Sequence, residues 1–135
     1  QIATYAGAFY RGQSLDDTTF NLIVVPKPDV PLQEAEDAMD AAIAEFMESG
    51  VDPEQLDRIK MQLRAAQVYE RDNVDGIGSR YGRALTSGLT IEDVQNWPDV
   101  LQAVTADDIM AAAREVFRDE QSVTGWLMRD QEVMQ

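Results

Sequence analysis

The stretch G-V-D-P-E-Q-L-D-R-I-K-M-Q-L-R-A over residues 50–65 constrains the fold more than any other, because it stops one helix and starts the next almost at once. Gly50 can end the preceding helix at a positive φ without a Cβ clash. Asp52 can cap the following helix, Pro53 suits the first helical position, where its missing N–H is no loss, and Gln55 completes a capping box with Asp52. Leu56, Ile59, Leu63 and Ala66 then recur at helical spacing and predict one buried face, with Asp57, Arg58 and Lys60 on a solvated one. The helix is expected to run through Tyr69 and to falter near Asp72 and Asn73.

Upstream, residues 2–10 place Ala3, Tyr5, Gly7 and Phe9 on one side and Ile2, Thr4, Ala6, Ala8 and Tyr10 on the other, which predicts a strand. A polar hairpin loop over 11–17 leads to a second strand over 18–25, rich in β-branched and aromatic residues and expected to be central in its sheet. Pro31 opens a helix that runs to about Ser49, with Ala35, Met39, Ala42, Ile43, Phe46 and Met47 inward and Glu34, Asp37, Glu45 and Glu48 outward. Met39 and Met47 are read as packing rather than as a binding groove.

After Asn73, Val74, Ile77, Tyr81 and Leu85 form a new apolar stripe, and Gly76, Gly78 and Gly82 suggest close helix packing. The run G-I-G-S-R-Y-G over 76–82 lacks the lysine and the preceding strand of a phosphate loop. Thr90 with Asp93, and Thr105 with Asp108, are two capping boxes, stapled by Leu89 with Val94 and by Val104 with Ile109. Between them Trp97-Pro98 is expected to break the helix, with Leu101 packing its second part. Ile109, Ala113, Val116 and Phe117 carry the last helix inward, Asp119 and Glu120 make a turn, and residues 122–128 alternate as a closing strand. The predicted order is therefore strand, strand, four or five helical segments, strand: an α+β fold, mainly an antiparallel sheet backed on one face by helices. One domain spans 1–129 and a tail 130–135, with no internal repeat.

Composition narrows the chemistry. The 135 residues carry 25 acidic and 11 basic side chains, a net charge of −14, which repels a phosphate backbone and disfavours nucleic acid and anionic membranes. Cysteine and histidine are both absent, so thiol chemistry, an imidazole base and an imidazole- or thiolate-ligated zinc are excluded from this chain. No apolar run is long enough to span a bilayer. Of the remaining carboxylate pairs, Asp108 is explained by its cap, and Asp16-Asp17 has no ligand-like spacing around it. The aromatic set Tyr5, Phe9 and Tyr10 could line a binding surface or simply pack.

The ordered set G-V-D-P-E-Q-L-D-R-I-K from Gly50, L-T-I-E-D from Leu89, A-V-T-A-D-D-I-M-A-A-A-R-E-V-F from Ala103 and S-V-T-G-W-L from Ser122 resembles the C-terminal part of a domain of the pitrilysin/insulinase-type zinc metallopeptidases. Mitochondrial processing peptidase and the core proteins of the cytochrome bc1 complex belong to that group. The resemblance covers essentially the whole chain and implies a partial LuxS/MPP-like metallohydrolase domain. In the family, zinc sits on an inverted H-x-x-E-H motif of a catalytic half or subunit, which this chain lacks. It therefore resembles a non-catalytic domain that helps enclose a peptide substrate, with zinc held by the full-length protein or a catalytic partner subunit.

Relatives bind substrate through an Arg and a Tyr in a segment ending like L-A-Y. Ile2-Ala3 match its first two residues, so Thr4 falls where the Tyr belongs and Tyr5 lies one place on, facing the other way unless a bulge intervenes. Tyr5 is the one substrate-binding candidate; no catalytic or metal-binding residue is expected. The alternative implied by the same resemblance is a structural or assembly module like the bc1 core proteins, without peptidase activity. A third reading is an independent acidic binding domain. The resemblance also suggests a periplasmic setting, with the cytoplasm as the other possibility. The opening at Gln1, already inside a strand, suggests a piece of a longer domain with an open sheet edge prone to association.

Overall fold

Two runs of alternating apolar residues build an antiparallel hairpin, β1 (Ala3–Arg11) and β2 (Thr19–Pro26), in the computed structural model, which describes residues 2–70 and 73–128. The predicted tail, Asp72 and the side chain of Tyr69 lie outside the described residues. The register pairs Tyr5 with Val25, Gly7 with Ile23 and Tyr10 with Phe20, but Ala3 with Pro26, so β1 takes two steps where β2 takes one. Thr4 is the extra residue of this β-bulge. Alternation then puts Ala6, Ala8, Leu22 and Val24 on an inner face and Tyr5, Gly7, Phe9, Ile23 and Val25 on an outer one.

The described sheet has these two strands only. The expectation that β2 is central is thus corrected, since a central strand needs a ladder on each side and β2 has β1 alone. The closing strand over 122–128 is corrected too. That segment forms no regular structure, its backbone pairs with no strand, and Val123 and Leu127 are 97% and 94% exposed. Its alternating pattern has strand character, but without a partner beside it the ladder that makes a strand cannot form.

Helix α1 (Leu32–Ser49) lies over the inner face of the hairpin. Pro31 is its N-cap residue, with extended backbone, and Gly50 ends it at a φ of +76°, its N–H bonded to Phe46 O at 2.9 Å. Between α1 and the hairpin runs an apolar groove of about 610 Å³, lined among others by Ala6, Leu22, Val24, Met39, Ile43 and Phe46. Met39, read as packing rather than as part of a groove, is half-buried and lines this one.

Helix α2 (Pro53–Glu70) starts as predicted, but Asp52 Oδ1 accepts from Glu54 N at 2.9 Å, one residue short of the Gln55 box. The buried face is also different. Leu56 is half-buried, whereas Ile59, Leu63 and Ala66 are exposed. Lys60, expected in solvent, is half-buried instead, donating from Nζ to Gln102 O at 2.9 Å while Gln102 Nε2 donates to Lys60 O at 3.2 Å. This reciprocal pair draws the helix round so that its Lys60 side meets its neighbour, and an amphipathic stem can line that contact while its ammonium finds a carbonyl.

Helices α3 (Val74–Thr86), α4 (Ile91–Ala103) and α5 (Ala106–Val116) follow. Asn73 caps α3 by accepting from Gly76 N at 2.9 Å. Its far end is a Schellman closure, with Leu89 N bonded to Ala84 O, Gly88 N to Leu85 O, and Gly88 at a φ of +84°. The buried position of α3 is Ala84, flanked by half-buried Ile77 and Tyr81, while Val74 and Leu85 are exposed. The glycines do not mark close packing: a Cβ added at Gly78 or Gly82 would meet open space, and one at Gly76 would meet only the Asn73 cap. Both Thr boxes form in full. Pro98 lies inside an unbroken α4, correcting the expected break. The helix forgoes one bond to the Val94 carbonyl, and its Thr90 box together with packing on α2 and α3 carries it through.

Helix α5 contacts α1, and just beyond it Phe117 meets Phe20 of β2 edge to face, with ring centroids 5.3 Å apart. A short 3₁₀ turn, Asp119–Gln121, follows. Among the described residues the buried apolar side chains are Ala35, Ala84, Val94 and Ala113. The accessible surface is 11370 Å², where a compact monomer of 15.1 kDa exposes about 7,000 Å². With so thin a core, local bonds at helix ends weigh heavily.

Thr90→Ala and Thr105→Ala should each lower stability by about 1 kcal/mol in urea titrations near neutral pH. Hydrogen bonds from Thr90 and Thr105 hold Asp93 and Asp108 below their ordinary value of 3.8. A carboxylate whose folded value is depressed stabilises fully above its unfolded value and loses that contribution as pH falls through the folded one. The gap between wild type and each variant should therefore narrow below about pH 4.

Candidate functional site

The outer face of the hairpin is where Tyr5 stands, and three local features put it there. Thr4 is the bulged residue, and its Oγ1 donates to Val25 O of the partner strand at 3.0 Å. The inserted residue shifts the alternation, so Tyr5 takes the outer position beside Val25 that Thr4 would hold in an unbroken count from Ala3. Two residues on, Gly7 leaves the strand surface bare, and the Tyr5 ring lies over it. A Cβ built at Gly7 would come within 2.5 Å of Tyr5 Oη and 2.9 Å of Cζ.

Tyr10 repeats the arrangement over Gly12, where an added Cβ would lie 2.8 Å from the Tyr10 ring. The two tyrosines differ at their hydroxyls. Tyr10 Oη shares a hydrogen bond with Thr18 Oγ1 at 2.7 Å, whereas Tyr5 Oη has no partner among the described residues. Tyr5 is 55% exposed, and Phe9, Ile23 and Val25 on the same face are also exposed. The result is an apolar platform with one phenol able to donate.

The remaining sequence candidates do not come together. Asp16 and Asp17 sit in the hairpin loop, where Asp16 N donates to Ser14 Oγ at 3.3 Å. Asp108 accepts from Thr105 N and Thr105 Oγ1 in its box. Among the described residues no group of three or more carboxylates converges as a metal site. With no imidazole or thiolate in the sequence, an imidazole- or thiolate-ligated zinc site cannot be built from this chain. Among the described residues no helix is long and apolar enough to cross a membrane.

Two links escaped sequence reasoning because they join distant segments. Lys60 with Gln102 is one. The other is Trp126 Nε1, which donates to Glu36 Oε2 at 2.8 Å and ties the irregular segment 122–128 to α1. The glycine beneath Tyr5 did have a legible signal, the spacing Y-x-G, which occurs at Tyr5-Gly7 and again at Tyr10-Gly12. The chain matches no protein-family model and no curated protein.

Since a ligand that binds only the folded state raises its melting temperature, zinc chloride at a low molar excess and EDTA should both leave the melting temperature of the chain unchanged in scanning fluorimetry. A zinc-dependent rise would require a metal site built from carboxylates.

Proposed function

We propose that this chain is a non-catalytic, substrate-enclosing domain of a pitrilysin/insulinase-type zinc metallopeptidase. Zinc chemistry then belongs to a histidine-bearing half or partner subunit, and this domain contributes a wall of the peptide chamber. The reading rests on the ordered sequence resemblance, and the observation that carries it furthest is Tyr5. Its ring lies on an exposed apolar sheet face, at a position set by a bulge, with a hydroxyl that bonds to nothing else among the described residues. Such a phenol suits hydrogen bonding to an extended peptide whose side chains lie along Phe9, Ile23 and Val25.

The large accessible surface supports a domain that works against a second body. The finer LuxS/MPP-like assignment belongs to the same reading, as does an exported, periplasmic setting. The labour is then divided: this chain binds and orients peptide and excludes water from it, while the metal-bound half would supply the activated water and polarise the carbonyl.

The test is reconstitution. The chain alone should show no zinc-dependent cleavage of a peptide library, and the assembly that includes an H-x-x-E-H half should cleave. In that assembly Tyr5→Ala should raise KM roughly tenfold with kcat little changed, the pattern of lost ground-state binding. Zinc-dependent cleavage by the chain alone would overturn the assignment, and an assembly that binds its partner but turns over no peptide would point to the structural module instead.

A further inference from the structure

We propose that Thr4 and Gly7 are positioning residues for Tyr5, so that the phenol is held flat along the strand and its hydroxyl is aimed across the outer face of the hairpin. The role of the phenol in peptide contact rests on the function proposed above; the pose itself does not.

Residue 7 is glycine for a reason of space. Among the described residues the glycines at positive φ are Gly50 and Gly88, so Gly7 has a backbone that any residue could adopt. Conformational freedom is therefore not what this position needs. What the missing side chain provides is space, because a Cβ there would overlap Tyr5 Oη and Cζ, at 2.5 and 2.9 Å. An aromatic ring laid over a strand glycine covers backbone that would otherwise be bare. The clash would be with the far end of a side chain, so an alanine at this position would push the ring aside and leave the strand in place.

Thr4 acts one step earlier. The bulge decides which face residue 5 occupies, and the Thr4 hydroxyl bonded to Val25 O pins the bulge to the partner strand. Valine has the same shape without the donor, and serine keeps the donor. Tyr10 over Gly12 shows that ring-over-glycine packing can be structural alone, since its hydroxyl is occupied by Thr18. Tyr5 has the same packing with its hydroxyl unoccupied among the described residues, which separates holding a ring from presenting one.

The first arm of the test is NMR on the full chain. The Gly7 Hα resonances should be shifted upfield by the Tyr5 ring current, and Tyr5→Leu should remove that shift. Gly7→Ala should move the Tyr5 ring resonances toward solvent-exposed values while the amide shifts of β2 stay in place. Thr4→Val should change the Tyr5 environment and Thr4→Ser should restore it. Tyr5 ring resonances unmoved by both Gly7→Ala and Thr4→Val would overturn the proposal, whatever happens with peptide.

The second arm is peptide cleavage by the reconstituted assembly. Gly7→Ala should raise KM about as much as Tyr5→Ala, with no further increase in the double variant, because both remove the same contact. If Tyr5→Ala raises KM and Gly7→Ala does not, the positioning role is wrong and the peptidase reading stands. If Tyr5→Ala leaves KM unchanged, the peptide role of Tyr5 is wrong, and the NMR arm alone decides whether Thr4 and Gly7 set its pose.

Discussion

The edge-to-face contact of Phe20 with Phe117 joins the hairpin to the end of the helical run, and the arrangement of the chain depends on it. The rings belong to residues almost a hundred positions apart, on β2 and just past α5. Such a pair contributes about 1 kcal/mol beyond the area it buries. Its larger effect is topological. With Phe117 held on β2, α5 is brought against α1, and α1 in turn lies over the inner face of the hairpin. Few other links run between the two parts, since the buried apolar side chains among the described residues are three alanines and a valine.

A thin core shifts the weight onto local chemistry. Four helices begin at a side chain that satisfies a backbone group, Asp52 before α2, Asn73 before α3, Thr90 before α4 and Thr105 before α5, and α3 ends in a backbone closure at Gly88. These bonds involve neighbours in sequence, so they form without help from tertiary packing. The same logic explains why Pro98 does not end α4: one missing bond is a smaller loss than undoing a capped helix already packed on two others.

At the candidate site, the physics is equally local but less obvious. The bulge at Thr4 re-aims one tyrosine, and the glycine two residues later gives its ring somewhere to lie. A sheet face with exposed aromatics and aliphatic neighbours, where Asn21 and the charged Arg11 come only at the Phe9 end, differs from the rest of a chain whose net charge is −14. On the proposed reading this is the wall that a peptide meets, and the acidic helical surface faces elsewhere in the assembly.

The amino-acid sequence by itself determined the α+β class, both hairpin strands, a run of four or five helical segments after them and the two Thr capping boxes, because each rests on period, propensity or bonds within a few residues. Tertiary structure alone decided which helical faces are covered. The apolar stripe Ile59, Leu63 and Ala66 of α2 stayed exposed while Lys60 turned inward, because Gln102 offered it a carbonyl from another helix. It also decided that 122–128 is no strand, since alternation is a property of the segment but a ladder needs a neighbour. The side of the sheet that Tyr5 faces belongs to the same class: strand alternation was legible, but the bulge that shifts it is held by a bond from Thr4 to a carbonyl on the other strand.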